Sequence, residues 1–361
     1  AMLSLPRVSS LCSSLLFIRP CHRFVSSLPV RPAPSSLARP RNGVAFFPPA
    51  VTAAVAPSWR QVVVRQMTTE VTEEDYFKRC KGEAEAGIAE AMFEVGMCYL
   101  AGRGCDMDER LAVEWYTKAA ELDHIEAQYN LGVCHYYGRG VSPRNPSEAV
   151  KWYQKAAEKG HTTAEYALGM CYEKGRGVEK NTNKAIEIFA KAADHGDAGA
   201  QFKLGECFYY GRSGLEENFE KAAQLFTLAA DQGLAKAQYH LGLCHYYGQG
   251  VESSESKAAH LFLRAATSGH PQAEYQIASC YYSGRGVEKN LDKAVEWFEK
   301  AAAQSHPVAQ YSLGQCHYYG RGVAKDEDKA LSFYRMAAAQ GHAQAKYWLG
   351  IILQQKQQSK A

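Results

Sequence analysis

The sequence predicts an all-α solenoid, and two observations support this prediction. A leucine–glycine pair and its variants recur along the chain at steps of 36 or 37 residues. Each repeat also contains two segments with apolar residues at helical spacing, separated by glycines. One such helix pair cannot bury its own apolar faces, so we expect about seven stacked two-helix units with a half unit at each end. The recurring position holds Gly96, Gly132, Gly169, Gly205, Gly242, Ala278, Gly314 and Gly350.

The first segment, residues 1–69, has a composition of its own. It contains eight arginines, no lysine and nine of the 13 prolines, and the first acidic residue of the chain is Glu70. An Arg-rich, Ser-rich segment without acidic residues is typical of transit peptides. We therefore predict a disordered targeting segment and import into mitochondria, with the matrix favoured over the intermembrane space. Two alternatives are a cytosolic protein that starts at Met67 and an endoplasmic reticulum protein whose signal includes residues 11–18.

The remaining chain is predicted to form one solenoid over residues 70–354, followed by a polar tail at 355–361. This part carries 33 of the 41 basic residues and all 38 acidic residues, so it is mildly acidic. A nucleic-acid-binding protein would present a clustered basic face, and we expect no such partner. We also expect no transmembrane segment, because no apolar run approaches the ~20 residues that a membrane helix needs.

The first helix of each unit is illustrated by the second unit. Ala127, Leu131 and Cys134 are spaced i, i+4 and i+7, which places them in one apolar stripe. Gly138 and Gly140 follow, and glycine tolerates the positive φ angles of a tight turn. We therefore predict that the helix ends at Gly138.

A cysteine completes this stripe in every unit. Free cysteine often behaves as a small buried hydrophobe, which favours a core role. Cys134 and His135 project about 100° apart on a helix, and stacked helices lie on the order of 9–10 Å apart. These separations argue against a shared metal ion and against a disulfide ladder. We predict no catalytic residue, no metal site and no cofactor. The cysteines are Cys98, Cys134, Cys171, Cys207, Cys244, Cys280 and Cys316.

The second helix of the unit begins with clear start signals. Asn145 can cap the helix, Pro146 fits its first position, and Glu148 is spaced to complete a capping box. Gly160 is predicted to end it. Its apolar stripe consists of Ala149, Trp152, Tyr153 and Ala156.

The pattern A-x-x-x-L-G-x-C-x-Y-Y-G-R-G-V, followed by A-V-x-W-Y-x-K-A-A-x-x-G-H, resembles the Sel-1-like repeat, a relative of the tetratricopeptide repeat. The resemblance covers about residues 84–350. The fourth unit departs from it with a longer turn at 211–215, and the sixth has Ala278 in place of glycine. The resemblance implies a right-handed superhelix whose concave face is formed largely by the first helices. It also implies function by holding other proteins together.

By the same resemblance, the end of each first helix faces the concave groove, where this chain places tyrosine pairs. Tyrosine combines a large contact area with a hydroxyl group, which suits a protein-binding surface. The alternative is that one tyrosine of each pair belongs to the core and the other shields the turn. In the third unit two charged residues replace the pair. The candidate partner-binding residues are Tyr136, Tyr137, Tyr209, Tyr210, Tyr246, Tyr247, Tyr282, Tyr318, Tyr319, Glu173 and Lys174.

These observations predict a non-enzymatic scaffold or adaptor that binds protein or peptide partners through its groove. We expect it to support assembly or quality control of a protein complex in mitochondria. Self-association is a further possibility. Two alternatives remain open: a quality-control adaptor of the same fold in the secretory pathway, and an enzyme or metal-handling protein that uses the Cys and His residues.

Overall fold

The computed structural model describes residues 72–358, so the predicted targeting segment and the end of the predicted tail lie outside the described residues. Residues 72–358 form sixteen α-helices and no strand. The helices are α1 (Glu73–Glu85), α2 (Ala89–Ala101), α3 (Glu109–Glu121), α4 (Ile125–Tyr137), α5 (Pro146–Glu158), α6 (Thr162–Lys174), α7 (Thr182–Asp194), α8 (Ala198–Tyr210), α9 (Phe219–Asp231), α10 (Ala235–Tyr247), α11 (Glu255–Thr267), α12 (Pro271–Ser283), α13 (Leu291–Ala303), α14 (Pro307–Tyr319), α15 (Glu327–Ala339) and α16 (Ala343–Gln358).

The helices form seven pairs, from α2/α3 to α14/α15, with α1 before them and α16 after them. Each helix packs mainly against the helix before it and the helix after it, as in a solenoid. The all-α solenoid prediction is confirmed. Helix α16 continues to Gln358, four residues beyond the predicted solenoid boundary at 354. None of the helices between residues 72 and 358 has the length and apolarity to cross a membrane.

Two glycines shape the turn in six of the seven units, for different reasons. Gly138 ends α4 with φ = 76°, and its N–H donates to the Cys134 carbonyl oxygen at 2.8 Å. Gly140 also has a positive φ, and a Cβ atom placed on it would lie 2.0 Å from the backbone oxygen of Glu109. The second glycine is therefore required by the preceding unit, because only a residue without a side chain lets the two backbones approach this closely.

The second helices begin as predicted in all but one detail. The side chain of Asn145 accepts a hydrogen bond from the Glu148 N–H at 3.1 Å, and Pro146 is the first residue of α5. The capping box is not formed, because the Asn145 N–H donates to the His135 carbonyl oxygen at 2.9 Å. The Glu148 carboxylate instead contacts Lys151 at 2.9 Å.

The core is a row of small residues with aromatic rings packed between them. Ala127, Leu131 and Cys134 are buried, which confirms the predicted stripe. Tyr153 is also buried and lies against Gly132. Trp152 is half-buried: it packs against the core cluster that contains Ala127, and the Lys155 ammonium lies 4.0 Å from its ring centre.

Candidate partner-binding surface

The last residue of each first helix, here called the outer position, is exposed. Four units place a tyrosine there, and these tyrosines are 44% to 63% exposed. Serine or alanine stands at the outer position in other units, at Ser283 and Ala101. The solenoid therefore does not need a ring at this position, and the exposed surface of the four tyrosines can contact another molecule. They are Tyr137, Tyr210, Tyr247 and Tyr319.

The preceding residue, here called the inner position, serves a different purpose. The Tyr246 ring packs into the core, and its hydroxyl accepts a hydrogen bond from Arg285, in the turn of the next unit. The same contact joins Arg176 to Tyr136 at 2.7 Å, and it also joins Arg321 to Tyr282. The inner tyrosines therefore connect successive units.

Two inner tyrosines vary this arrangement. Tyr209 donates its hydroxyl hydrogen to the Gln249 side-chain oxygen at 2.5 Å, because glutamine replaces arginine in that turn. Tyr318 lies against Trp348 of α16, with ring centres 5.8 Å apart. From the sequence, both tyrosines of each pair were predicted to bind partners, with one core tyrosine and one surface tyrosine as the alternative. The structure separates them by position, into inner contacts between units and outer exposed rings.

Arginines of the turns also lie over the outer rings. The guanidinium group of Arg212 lies 4.5 Å from the centre of the Tyr210 ring, and that of Arg321 lies 5.0 Å from the centre of the Tyr319 ring. Burial raises the pKa of Tyr210 further above neutral pH, so its phenol carries no charge there. The surface therefore combines exposed aromatic rings with neighbouring positive charge.

The third unit interrupts the row of tyrosines with charged residues. Glu173 occupies the inner position and lies 3.5 Å from Lys203 of the following first helix, which also pairs with Glu206 at 3.2 Å. Lys174 occupies the outer position and is exposed. The structure therefore brings Glu173 into contact with the fourth unit, whereas Lys174 faces solvent between Tyr137 and Tyr210.

The recurring cysteines lie in the core, and burial raises the pKa of their thiols. All seven are buried and none is in a disulfide. Burial raises the pKa of Cys134 and Cys244 to about 12, so the nucleophilic thiolate is not populated at neutral pH. Burial also lowers the pKa of His135, which keeps this neighbour neutral. Across residues 72–358 there is no group of three His, Cys, Asp or Glu residues placed to hold a metal ion.

The repeated sequence pattern identifies the protein family. The family model described as "Sel1 repeat" matches seven consecutive segments that together cover residues 89–342, more than half of the chain. This chain belongs to the Sel1 repeat family. The matched segments are 89–124, 125–161, 162–197, 198–234, 235–270, 271–306 and 307–342.

Two solved structures of Sel1 repeat proteins are similar to this chain. One is a protective antigen of uropathogenic Escherichia coli that displays an SLR fold, with 33% identity over 76% of this chain and a TM-score of 0.69. The chain spans 58% of the length of that antigen. The other is a Sel1 repeat protein of Oxalobacter formigenes, with 32% identity over 76% of this chain and 79% of its own, and a TM-score of 0.60. No curated protein matches the chain.

Sequence reasoning missed two sets of residues that the Sel1 units use. The turn arginines were treated only as part of a Gly-Arg-Gly turn, although Arg176 and Arg285 contact the inner tyrosines of the units before them. The recurrence of arginine in the glycine turn is the pattern from which a structural role could have been predicted. The histidines that end the repeat motif were also given no role, although His270 caps α12 and stacks on Tyr239.

Proposed function

We propose that this Sel1 repeat protein is a non-enzymatic scaffold that binds partner proteins along its outer tyrosines. One observation carries the proposal: four tyrosines are exposed at a repeated position where the fold accepts serine or alanine. Exposed tyrosines at equivalent places form a contact surface with little entropy to lose on binding. Sel1 repeat proteins generally act as scaffolds for protein interactions, which agrees with this use.

The proposal includes import into mitochondria, where the scaffold would support assembly or quality control of a protein complex. Its support is the sequence of residues 1–69, with eight arginines and no acidic residue. The test is to determine the N-terminus of the mature protein from fractionated cells. A new N-terminus within residues 1–69 in the mitochondrial fraction is expected. Recovery from the secretory fraction with a cut just after residue 18 would contradict import.

The binding surface is tested by replacing all four outer tyrosines with serine, the residue that the sixth unit carries at this position. Tagged full-length protein would be purified from its own cells, and co-purifying proteins would be quantified by mass spectrometry. We expect partner recovery to fall at least about tenfold in the variant, because several exposed aromatic contacts are lost together.

The matched control removes exposed apolar side chains elsewhere: Leu228, Met336 and Tyr347 are each replaced by serine. Both variants should retain the helical circular dichroism of the wild type. Equal partner recovery from the two variants would contradict binding along the outer tyrosines.

A further inference from the structure

The turns between the two helices of each unit carry a line of positive charge. The residue after the first glycine of the turn is arginine in six of the seven units and glutamine in the fifth. Because the units are stacked in register, these side chains follow one edge of the solenoid, beside the outer tyrosines. The arginines are Arg103, Arg139, Arg176, Arg212, Arg285 and Arg321.

Among the described residues, five of these six arginines have no neighbouring carboxylate partner. Among residues 72–358, no carboxylate oxygen lies within 4.0 Å of Arg103, Arg139, Arg176, Arg212 or Arg285. The acidic residues near the turns form no ion pair with these arginines. The Glu109 carboxylate accepts a hydrogen bond from the Gly140 N–H at 3.2 Å. The Glu255 carboxylate attracts Arg285 electrostatically but lies beyond ion-pair distance. The arginines therefore form a positively charged surface on a protein whose residues 72–358 include more acidic than basic residues.

The arginines are also held in place before any partner arrives. Arg176 and Arg285 each donate to an inner tyrosine of the unit before them, and Arg212 lies over an outer ring. A guanidinium group has five N–H donors, so one bond to a phenol oxygen leaves donors for a carboxylate. Fixed orientation reduces the entropy cost of binding.

We propose that the turn arginines and the outer tyrosines together bind an extended acidic segment of a partner protein. The inference rests on the proposed scaffold function and specifies the chemistry of the partner. Positive potential along the edge attracts carboxylates, and the tyrosine rings contact the aliphatic parts and the backbone of the segment.

The spacing of the arginines sets the pattern of the acidic residues. Adjacent first helices contact each other through side chains, as the Lys203–Glu173 pair and the ring contact of Tyr209 with His240 show. Packed helices lie about 8–10 Å apart, and an extended chain advances about 3.3 Å per residue. One carboxylate in every three residues of the segment would therefore match the turn arginines of the first four units, which follow one another without a gap.

The test measures binding of fluorescent twelve-residue peptides to the full chain by anisotropy. One peptide carries glutamate at every third position between glycine and serine, and a second has the same composition with its glutamates adjacent. We expect the spaced peptide to bind more tightly than the clustered one. Binding should weaken with rising salt concentration, because exposed charges are screened.

The decisive variant replaces Arg176, Arg212 and Arg285 with glutamine. Gln249 shows that glutamine at this position keeps the contact with an inner tyrosine, so the changes at Arg176 and Arg285 remove charge while the units stay connected. The inner position of the unit before Arg212 holds Glu173, so the change at Arg212 breaks no contact of this kind. The control replaces Lys118, Lys155 and Lys300 with glutamine, which removes the same charge from the second helices, where each lysine lies over a tryptophan. We expect about tenfold weaker binding of the spaced peptide for the arginine variant and less than about twofold for the lysine control.

Three outcomes would overturn the inference. The first is equal weakening in the two variants, which would mean attraction by net charge alone. The second is equal affinity for the spaced and clustered peptides. The third is equally tight binding of polyuridylate, which would point to nucleic acid. If native partners are lost from the outer-tyrosine variant and retained by the arginine variant, the acidic-segment inference fails and the scaffold function stands.

Discussion

Single glycines determine how closely the two helices of a unit approach. In the seventh unit, Gly314 packs against Tyr334, and a Cβ atom on this glycine would lie 2.7 Å from a ring carbon. Tyr334 is fully buried, so its ring has no open space into which to move. Gly350 stands at the same repeat position in α16, yet a Cβ atom there would meet nothing within 4 Å.

The substitutions Gly314→Ala and Gly350→Ala should therefore have opposite effects on the free energy of unfolding. We expect Gly314→Ala to destabilise by about 1–3 kcal/mol, because the methyl group overpacks a closed site. Gly350→Ala should stabilise by up to about 1 kcal/mol, because alanine favours the helix and meets no neighbour. Urea denaturation of both variants checks this. Destabilisation by both would show that the ring contact is not the deciding factor.

In four of the seven units, a buried amide at the fourth position of the first helix donates a hydrogen bond to the preceding unit. Gln310 donates to the Ala302 carbonyl oxygen at 3.3 Å and accepts from Gln340 at 2.9 Å. In the sixth unit the position holds Glu274, which is 4% exposed and accepts from Gln304 at 2.9 Å. Burial raises the pKa of this carboxyl group, and its ionised form has no hydrogen to donate.

Glu274→Gln is expected to raise the free energy of unfolding by about 1 kcal/mol at neutral pH, because it restores the donor and removes a buried charge. A carboxyl group with a raised pKa in the folded state costs stability above that pKa, and this cost disappears as the pH falls through it. The gain should therefore shrink toward acidic pH. Denaturation curves at several pH values measure it, and a gain independent of pH would rule out the ionised carboxylate as its source.

The connection between successive helix pairs is carried by the inner tyrosines and the turn residues that follow. Tyr246→Phe removes only the hydroxyl that accepts from Arg285. We expect a loss of about 0.5–1.5 kcal/mol and faster amide hydrogen exchange in α10 and α12, on the two sides of the contact. Tyr318→Phe is the control, since no further Gly-Arg-Gly turn follows it in the described chain. Similar losses in both variants would show that the hydrogen bond from Arg285 is not the source of the effect.

The helix pairs themselves followed from the sequence because their causes are local. Apolar spacing predicted the stripe of Ala127, Leu131 and Cys134, and the glycine turn and the Asn145 cap predicted the helix ends. The contacts between units could not be predicted this way. Tyr136 and Arg176 are 40 residues apart, and only the stacking geometry brings the hydroxyl and the guanidinium together. The same limit explains why the inner and outer tyrosines were grouped as one surface.

Across the solenoid, histidines cap first helices and contact the preceding units. His270 lies just before α12, where its Nδ1 accepts the Ala273 N–H at 3.3 Å and its ring stacks on Tyr239 of the preceding unit. Asp197 provides the cap at the same place in the fourth unit. The capping histidines are His124, His161, His270, His306 and His342.

Protonation of Nδ1 removes such a cap and places a positive charge at a helix N-terminus, where the helix dipole opposes it. Burial lowers the pKa of His161, His306 and His342. For His270, burial and the nearby His240 and Lys236 lower the pKa to about 4. The folded protein therefore keeps these rings neutral at a pH where the unfolded chain already binds protons.

We accordingly expect the solenoid to lose stability as the pH falls from about 6.5, the pKa of an unperturbed histidine, toward the lowered values of the folded state. His270→Asn isolates one contribution, because asparagine caps a helix without titrating, as Asn145 does. Loss of stacking on Tyr239 should make this variant less stable than the wild type at pH 7. Its deficit should narrow by about 1–3 kcal/mol between pH 7 and pH 4, because only the wild type also loses the cap. Urea denaturation across this range measures the difference, and a constant deficit would mean that protonation of His270 does not weaken the junction between the fifth and sixth units.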